Sequence, residues 1–218
     1  MRNGMKIYTG SPGGSQKKMA HMKRLGLGIM LSSEATKSYS DFSCALDNGA
    51  FESWRRGYPW SESRFMTMLE KSWSAGLSLD FIVLPDIVMG GRKSLDRSTM
   101  WIDRLIPGRL ALAVQNGIEP HHIDVSVIRQ IAYIFVGGSL EWKWQTAKQW
   151  VEFAHGNNLR CHIGRCGTLD KLRYANSIGA DSVDSTSIVR NESWHIIEEF
   201  INPIQINMIE EMERASGN

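Results

Sequence analysis

Short apolar runs recur along the chain, and amphipathic stretches fill most of the intervals between them. The runs predict strands at Lys6–Thr9, Gly28–Ser32, Ser43–Leu46, Phe81–Leu84, Leu110–Val114, Tyr133–Val136, Arg160–Ile163 and Asp181–Val183. Most are continuous or nearly so and are bounded by Gly, Pro, Asn or Asp, the pattern of strands covered on both faces. The amphipathic stretches predict helices over Ser61–Ala75, Ser94–Leu105, Asp124–Ile131, Glu141–His155 and Leu169–Ile178. A further helical segment is expected over about 193–214, broken near Pro203. In Ser61–Ala75 a serine cap precedes a stripe of Phe65, Met68, Leu69 and Trp73. Eight strands alternating with helices predict a compact α/β fold, a (β/α)8 barrel of the TIM type forming one domain over residues 1–218. An open doubly wound sheet is the competing arrangement.

Three of the runs lead into an aspartate: Asp47, Asp86 and Asp184. A carboxylate where a buried strand meets a loop is poorly placed for stability, because burying its charge is costly unless it is paired. It is well placed for chemistry, because the carboxyl ends of parallel strands converge on one crevice.

Composition narrows the class only a little. The 218 residues suit one domain with an adequate core, and 25 Lys+Arg against 23 Asp+Glu give a formal charge of +2. That balance is too mild by itself to declare a nucleic-acid binder. Cys44, Cys161 and Cys166 are an odd set without a disulfide pattern, which favours a reducing compartment. No secretory leader and no apolar run of membrane-spanning length is seen, so a cytoplasmic protein is expected.

The motifs carry more. In Asp47-Asn-Gly-Ala-Phe51, Gly49 lets the backbone approach a ligand, Asp47 is an acid/base or nucleophile, and Phe51 is a ring for a flat substrate. The plainer reading is a turn aspartate satisfying local amides. Asp86 can accept from two donors at once, as the N1–H and exocyclic amine of a guanine-type base would require, or it can cap the segment near Gly90. Gln115 can both donate to and accept from a base, or serve its loop. Gly137 and Gly138, paired after a strand, expose backbone N–H groups to a ligand oxygen.

In His162-Ile-Gly-Arg-Cys-Gly167, Arg165 is a candidate phosphate ligand. The small hydroxyl residues around Asp184, namely Ser182, Ser185, Thr186 and Ser187, either orient its carboxylate or form a polar loop. Cys161, His162, Cys166 and Cys44 match no usual zinc spacing, and buried strand thiols are the simpler account.

Basic and aromatic residues mix twice. Lys17, Lys18, His21 and Arg24 lie near one helical face, whereas Trp54-Arg55-Arg56-Gly-Tyr58-Pro-Trp60 follows directly on the Asp47 motif. Rings interleaved with guanidinium groups suit a nucleic-acid backbone and unstacked bases.

Taken in order, these motifs resemble the tRNA-guanine transglycosylase superfamily, whose barrel carries Asp-x-Gly-[Gly/Ala]-Phe, a strand-end Asp, Val-Gln-x-Gly, Gly-Gly, a glycine-rich strand–loop and a late Asp. The matching positions are Asp47–Phe51, Asp86, Val114–Gly117, Gly137–Gly138, Gly164–Gly167 and Asp184, covering about residues 42 to 187. The resemblance implies that Asp184 attacks C1′ of a nucleoside and Asp47 handles the base proton. It implies that Phe51 stacks on the purine while Asp86, Gln115 and the Gly137–Gly138 backbone read its edge. Arg55, Arg56, Arg165 and Lys143 would then contact nucleic acid.

The zinc module that the tRNA enzymes carry after the late Asp has no cysteines here, and their extra RNA-binding domains have no counterpart. The chain therefore looks more like the DNA-acting 7-deazaguanine branch, often found in phages or mobile elements, working in a bacterial or phage-infected cell. The expected reaction replaces guanine in DNA with a base such as 7-cyano-7-deazaguanine through a covalent aspartyl intermediate. A tRNA substrate, or hydrolysis by the same carboxylates, is the alternative. The expected partners are DNA, or tRNA, and a 7-deazaguanine-type base. A homodimer or a partner protein is a further source of grip, and neither cofactor nor metal is expected.

Overall fold

The computed structural model describes residues 4–32, 39–105 and 109–202. Eight parallel strands close into a ring in sequence order: β1 Lys6–Thr9, β2 Gly28–Leu31, β3 Cys44–Leu46, β4 Leu79–Val83, β5 Leu110–Val114, β6 Tyr133–Val136, β7 Arg160–Ile163 and β8 Ser182–Ser185. The seam is the β1–β8 pair, where Lys6 faces Ser182 and Tyr8 faces Asp184. This is the (β/α)8 barrel expected from the pattern of runs, and the open sheet is excluded by closure.

Side chains alternate across each strand, so two cores form. Outward residues such as Ile29, Leu112, Ile134 and Val183 pack beneath the helices. Inward residues fill the ring: Tyr8, Phe81 and Tyr133 are large, and Ala45, Ala111 and Ala113 on β3 and β5 are small. Tyr8 and Phe81 meet edge to face at 5.6 Å, and Phe81 lies 4.6 Å from Tyr133. Gly28 is required by this filling, because a Cβ there would sit 2.7 Å from the Tyr8 ring.

The helices are α1 Gln16–Arg24, α2 Ala50–Arg55, α3 Glu62–Ser74, α4 Arg92–Thr99, α5 Val125–Ile128, α6 Leu140–Gly156, α7 Leu169–Ser177, α8 Thr186–Arg190 and α9 Trp194–Ile201. Side-chain hydroxyls cap α1, α3, α6 and α7, with Ser15, Ser61, Ser139 and Thr168 accepting from the first-turn amides.

The differences from expectation are instructive. The helix expected at Ser94–Leu105 begins earlier and ends as α4, with a separate 3-10 turn at Ile102–Arg104. Trp73, expected on the apolar stripe of α3, is 53% exposed, and Ser72 takes the inward position. α2 and α8 were not expected, being one or two turns long in stretches rich in turn residues. Within 193–214 the helix α9 ends at Ile201, and the break near Pro203 lies outside the described residues.

The first basic cluster is structural in its contacts. Met19 and Met22 of α1 are buried, Lys18 pairs with Glu192 at 3.3 Å, and Arg24 and His21 both reach Glu198. The His21 ring lies 4.6 Å from Trp194. This face docks α1 against the last helices. No described helix is long and apolar enough to cross a membrane.

Candidate active site

The carboxyl ends of the strands surround a cavity of about 180 Å³. Asp47, Phe51, Asp86, Gln115, Gly137, Gly138, Lys143, Arg165 and Asp184 all line it, with Asn48 and Gly164. Every residue to which the resemblance gives a role except Arg55 and Arg56 therefore meets at one place. The volume is below that of a drug-sized pocket and matches a single small ring system, with the remainder of a larger ligand outside.

Asp47 follows β3 directly and its Oδ1 accepts from Gly49 N at 3.3 Å. Gly49 holds φ +77, a conformation glycine adopts without strain, and thereby turns the chain into α2. Burial, helped by the nearby Asp184 carboxylate, pushes the Asp47 carboxyl up to about 7. Among the described residues no basic side chain lies within ion-pair distance of Asp47.

Asp86 is held from two sides. Asn48 Nδ2 donates to its Oδ1 at 2.9 Å and Gln115 Nε2 donates to its Oδ2. Asn48 is fully used: Nδ2 also donates to Leu84 O, and Oδ1 accepts from Ala50 N at 2.7 Å. Trp60 fixes the same residue from outside by donating Nε1–H to Asn48 O at 2.8 Å. Burial raises the Asp86 carboxyl, and the Asn48 and Gln115 amides oppose the shift. Sequence reasoning passed over Asn48, although it sits inside the Asp47 motif.

Gln115, expected to read a ligand, spends its groups within the protein, since its Oε1 accepts from Met89 N at 3.0 Å. Its close approach demands glycine at 137, where a Cβ would lie 2.6 Å from Gln115 Nε2. Gly137 does not offer its N–H to a ligand, because it donates to Val114 O at 3.0 Å. Gly138, at φ +74, turns the chain into Ser139, the cap of α6. Asn116 steadies this turn by accepting from Ser139 N at 2.8 Å.

Asp184 lies within β8 rather than after it, on the inward face two residues from Ser182. His162 Nε2 stands 3.0 Å from its Oδ1, and Arg165 N donates to the same oxygen at 3.4 Å. His162 is wholly buried, and its ring stacks on Phe135 at 4.7 Å. Burial lowers its pKa while Asp184 opposes. The residue appeared in the sequence only as a metal candidate.

Cys161, its neighbour, points the other way into the outer core, and Cys166 Sγ donates to Ile163 O at 3.3 Å. All three cysteines are free and buried, and burial pushes the Cys44 and Cys166 thiols up to about 12. Among the described residues no group of three or more His, Cys, Asp or Glu side chains is arranged around a metal.

One of the basic residues departs from its expected role, and a second is partly engaged within the protein. Lys143 is no surface contact: it is wholly buried, donating to Gly164 O, and burial pushes it down to about 7. Arg165 lies over the Phe51 ring at 4.6 Å and donates to Gly138 O, so it closes one side of the cavity. Arg55 and Arg56 are exposed and paired with Glu52 on the outer side of α2. Beside them Trp54 and Tyr58 are 51% and 65% exposed, which leaves a basic-aromatic surface next to Phe51.

Comparison with one solved structure gives the same architecture. A Coccidioides immitis protein described as of the dihydrodipicolinate synthase family superposes with a TM-score of 0.59 at 11% identity, covering 98% of this chain and 76% of that one. The likeness is one of fold. Triosephosphate isomerase from Bartonella henselae gives a TM-score of 0.44 at 11% identity, over 93% of this chain and 100% of that one. No family model and no curated protein matches the sequence.

Proposed function

We propose that the protein is a base-exchange transglycosylase, replacing guanine in DNA with a 7-deazaguanine base through a covalent Asp184 intermediate. One observation carries the reading: Asp47, Asp86, Gln115, Gly138 and Asp184, the positions that resemble the transglycosylase motifs, line one cavity of single-base size.

In the first half-reaction an Asp184 oxygen bonds to C1′ as the C1′–N9 bond breaks. The bond's electron pair leaves with the base, which takes the proton held by Asp47, so guanine departs neutral. In the second half the incoming base returns a proton to Asp47 as its nitrogen displaces the Asp184 oxygen. An oxocarbenium-like transition state suits capture by a carboxylate. An Asp47 carboxyl near 7 both holds and accepts a proton at neutral pH. Asp86, kept in place by two amides, accepts from the N1–H and amine edge of the base. The target nucleoside must leave its stack, and the exposed Trp54 and Tyr58 beside Arg55 and Arg56 suit an unstacked strand.

The test is mass spectrometry of nucleosides after incubating the protein with guanine-containing DNA, or tRNA, and deazaguanine bases. Incorporation into DNA supports the proposal. Incorporation into tRNA alone moves the chemistry to that polymer, and release of guanine without incorporation replaces exchange by hydrolysis.

A further inference from the structure

The Asp184 carboxylate is asymmetric in a way that points to its reacting atom. Both of its protein donors fall on Oδ1, from His162 at 3.0 Å and from the Arg165 amide at 3.4 Å. Gly164 crowds the same oxygen, since a Cβ there would lie 3.2 Å from it. Oδ2 has no hydrogen-bond partner among the described residues.

The imidazole that holds Oδ1 is itself held. An ionised carboxylate only accepts, so His162 must carry its proton on Nε2 to bond Asp184. Burial of the ring favours its neutral form, in which Nδ1 is a bare acceptor and Ser182 Oγ, 2.9 Å away, supplies the hydroxyl proton. Phe135 stacks on the ring, Phe81 lies 5.1 Å away and Tyr8 5.9 Å, so the ring plane is fixed on several sides. Ser182 and Asp184 stand two residues apart on the inward face of β8, which brings both within reach of one ring on the adjacent β7.

We infer that His162 is a positioning residue that anchors Asp184 Oδ1 through its Nε2–H, with Ser182 setting the tautomer, so that Oδ2 is the oxygen presented to C1′. This rests on the transglycosylase reading for the identity of the reaction, but the anchoring is a property of the free protein. A neutral donor suits the task. It fixes direction without neutralising the charge on the nucleophile, whereas a cation at the same place would blunt it.

The experiment measures the single-turnover rate of adduct formation on guanine-containing DNA for wild type, His162→Gln, His162→Phe and Ser182→Ala. Base affinity and ¹⁵N spectra of the histidine ring are followed alongside. Glutamine can place an amide donor near the Nε2 position and should stay within about tenfold of wild type. Phenylalanine keeps the packing and loses the donor, so its rate should fall about a hundredfold or more with base affinity nearly unchanged. Ser182→Ala should slow the reaction about tenfold and show a second tautomer in the spectra. Equal rates for the Phe and Gln variants would reduce His162 to a packing role and overturn the inference. If the wild type forms no adduct on any nucleic acid, the reaction is wrong and the anchoring is judged from the spectra alone. An Nε2–H signal that shifts in Asp184→Ala supports it, and an Nδ1–H tautomer in wild type overturns it.

Discussion

At the amino end of the barrel Asp80 accepts from Lys6 Nζ at 3.0 Å and Tyr8 OH at 2.6 Å. Asp181 there meets His155 Nε2 at 2.9 Å and Cys161 N at 2.8 Å. At the carboxyl end Asp47, Asp86 and Asp184 rely on amides and one buried imidazole, and Asp47 and Asp86 have no ion-pair partner among the described residues. The amino-end cleft is much the larger, about 940 Å³ against about 180 Å³. On the proposed reading the smaller cavity holds the chemistry, so size is a poor guide in this barrel. A carboxylate matched by a cation and a phenol, as Asp80 is, ties strands of the ring together, whereas carboxylates left under-neutralised are available to react.

The sharpest way to break this contrast is to neutralise one residue at each end. Asp184→Asn should lower adduct formation on the order of 10⁴-fold in single-turnover assays while leaving the folded state as stable as before. A variant that retains activity would show that the nucleophile lies elsewhere.

Asp47→Asn should slow exchange about 10²- to 10³-fold, the usual worth of a positioned acid/base. It should also be more stable than wild type at alkaline pH. The folded Asp47 sits near 7 and the unfolded one near its ordinary 3.8, so between these values the folded state binds the extra proton. Wild-type stability therefore falls as pH rises through that window, and the asparagine variant escapes the loss. Denaturant titrations at pH 5 and 8 should show its advantage growing with pH to a few kcal/mol, roughly.

At the other end Asp80→Asn should cost about 1–3 kcal/mol in chemical denaturation, because Lys6 and Tyr8 lose a charged acceptor. Activity per folded molecule should not change. The smallest effect belongs to the outer surface: Arg55→Ala or Arg56→Ala should each reduce the slope of log affinity for DNA against log salt by about 1. A slope that does not move would remove that surface from the nucleic-acid path.

Much of this division could be read in the chain. Eight bounded apolar runs specified the barrel, because strands covered on both faces have no polar face to blur the pattern. The aspartates and glycines stood out because apolar surroundings make them anomalous.

His162 was harder, since spacing suggested company with Cys161 and Cys166. Strand alternation separates them, sending His162 inward and Cys161 outward. Lys143 was legible in retrospect: it precedes Ala147, Trp150, Val151 and Ala154 on the buried stripe of α6, which puts an ammonium where an apolar group would be routine. Asn48 and the tautomer of His162 were not legible. Both depend on partners 20 to 38 residues away, Ser182 and Asp86, whose approach is set by barrel closure.

The seam between first and last strands gives that closure a temporal side. Asp184 is registered against Tyr8, the two residues being far apart in sequence, so this pairing is among the costliest in loop entropy for the chain to form. A ribosome-bound fragment ending before β8 would already own Asp47, Asp86 and Gln115, yet lack the carboxylate opposite them and the serine that orients His162. On the proposed mechanism, reactivity thus begins with the last of the described strands, and a chain stopped before β8 carries no nucleophile.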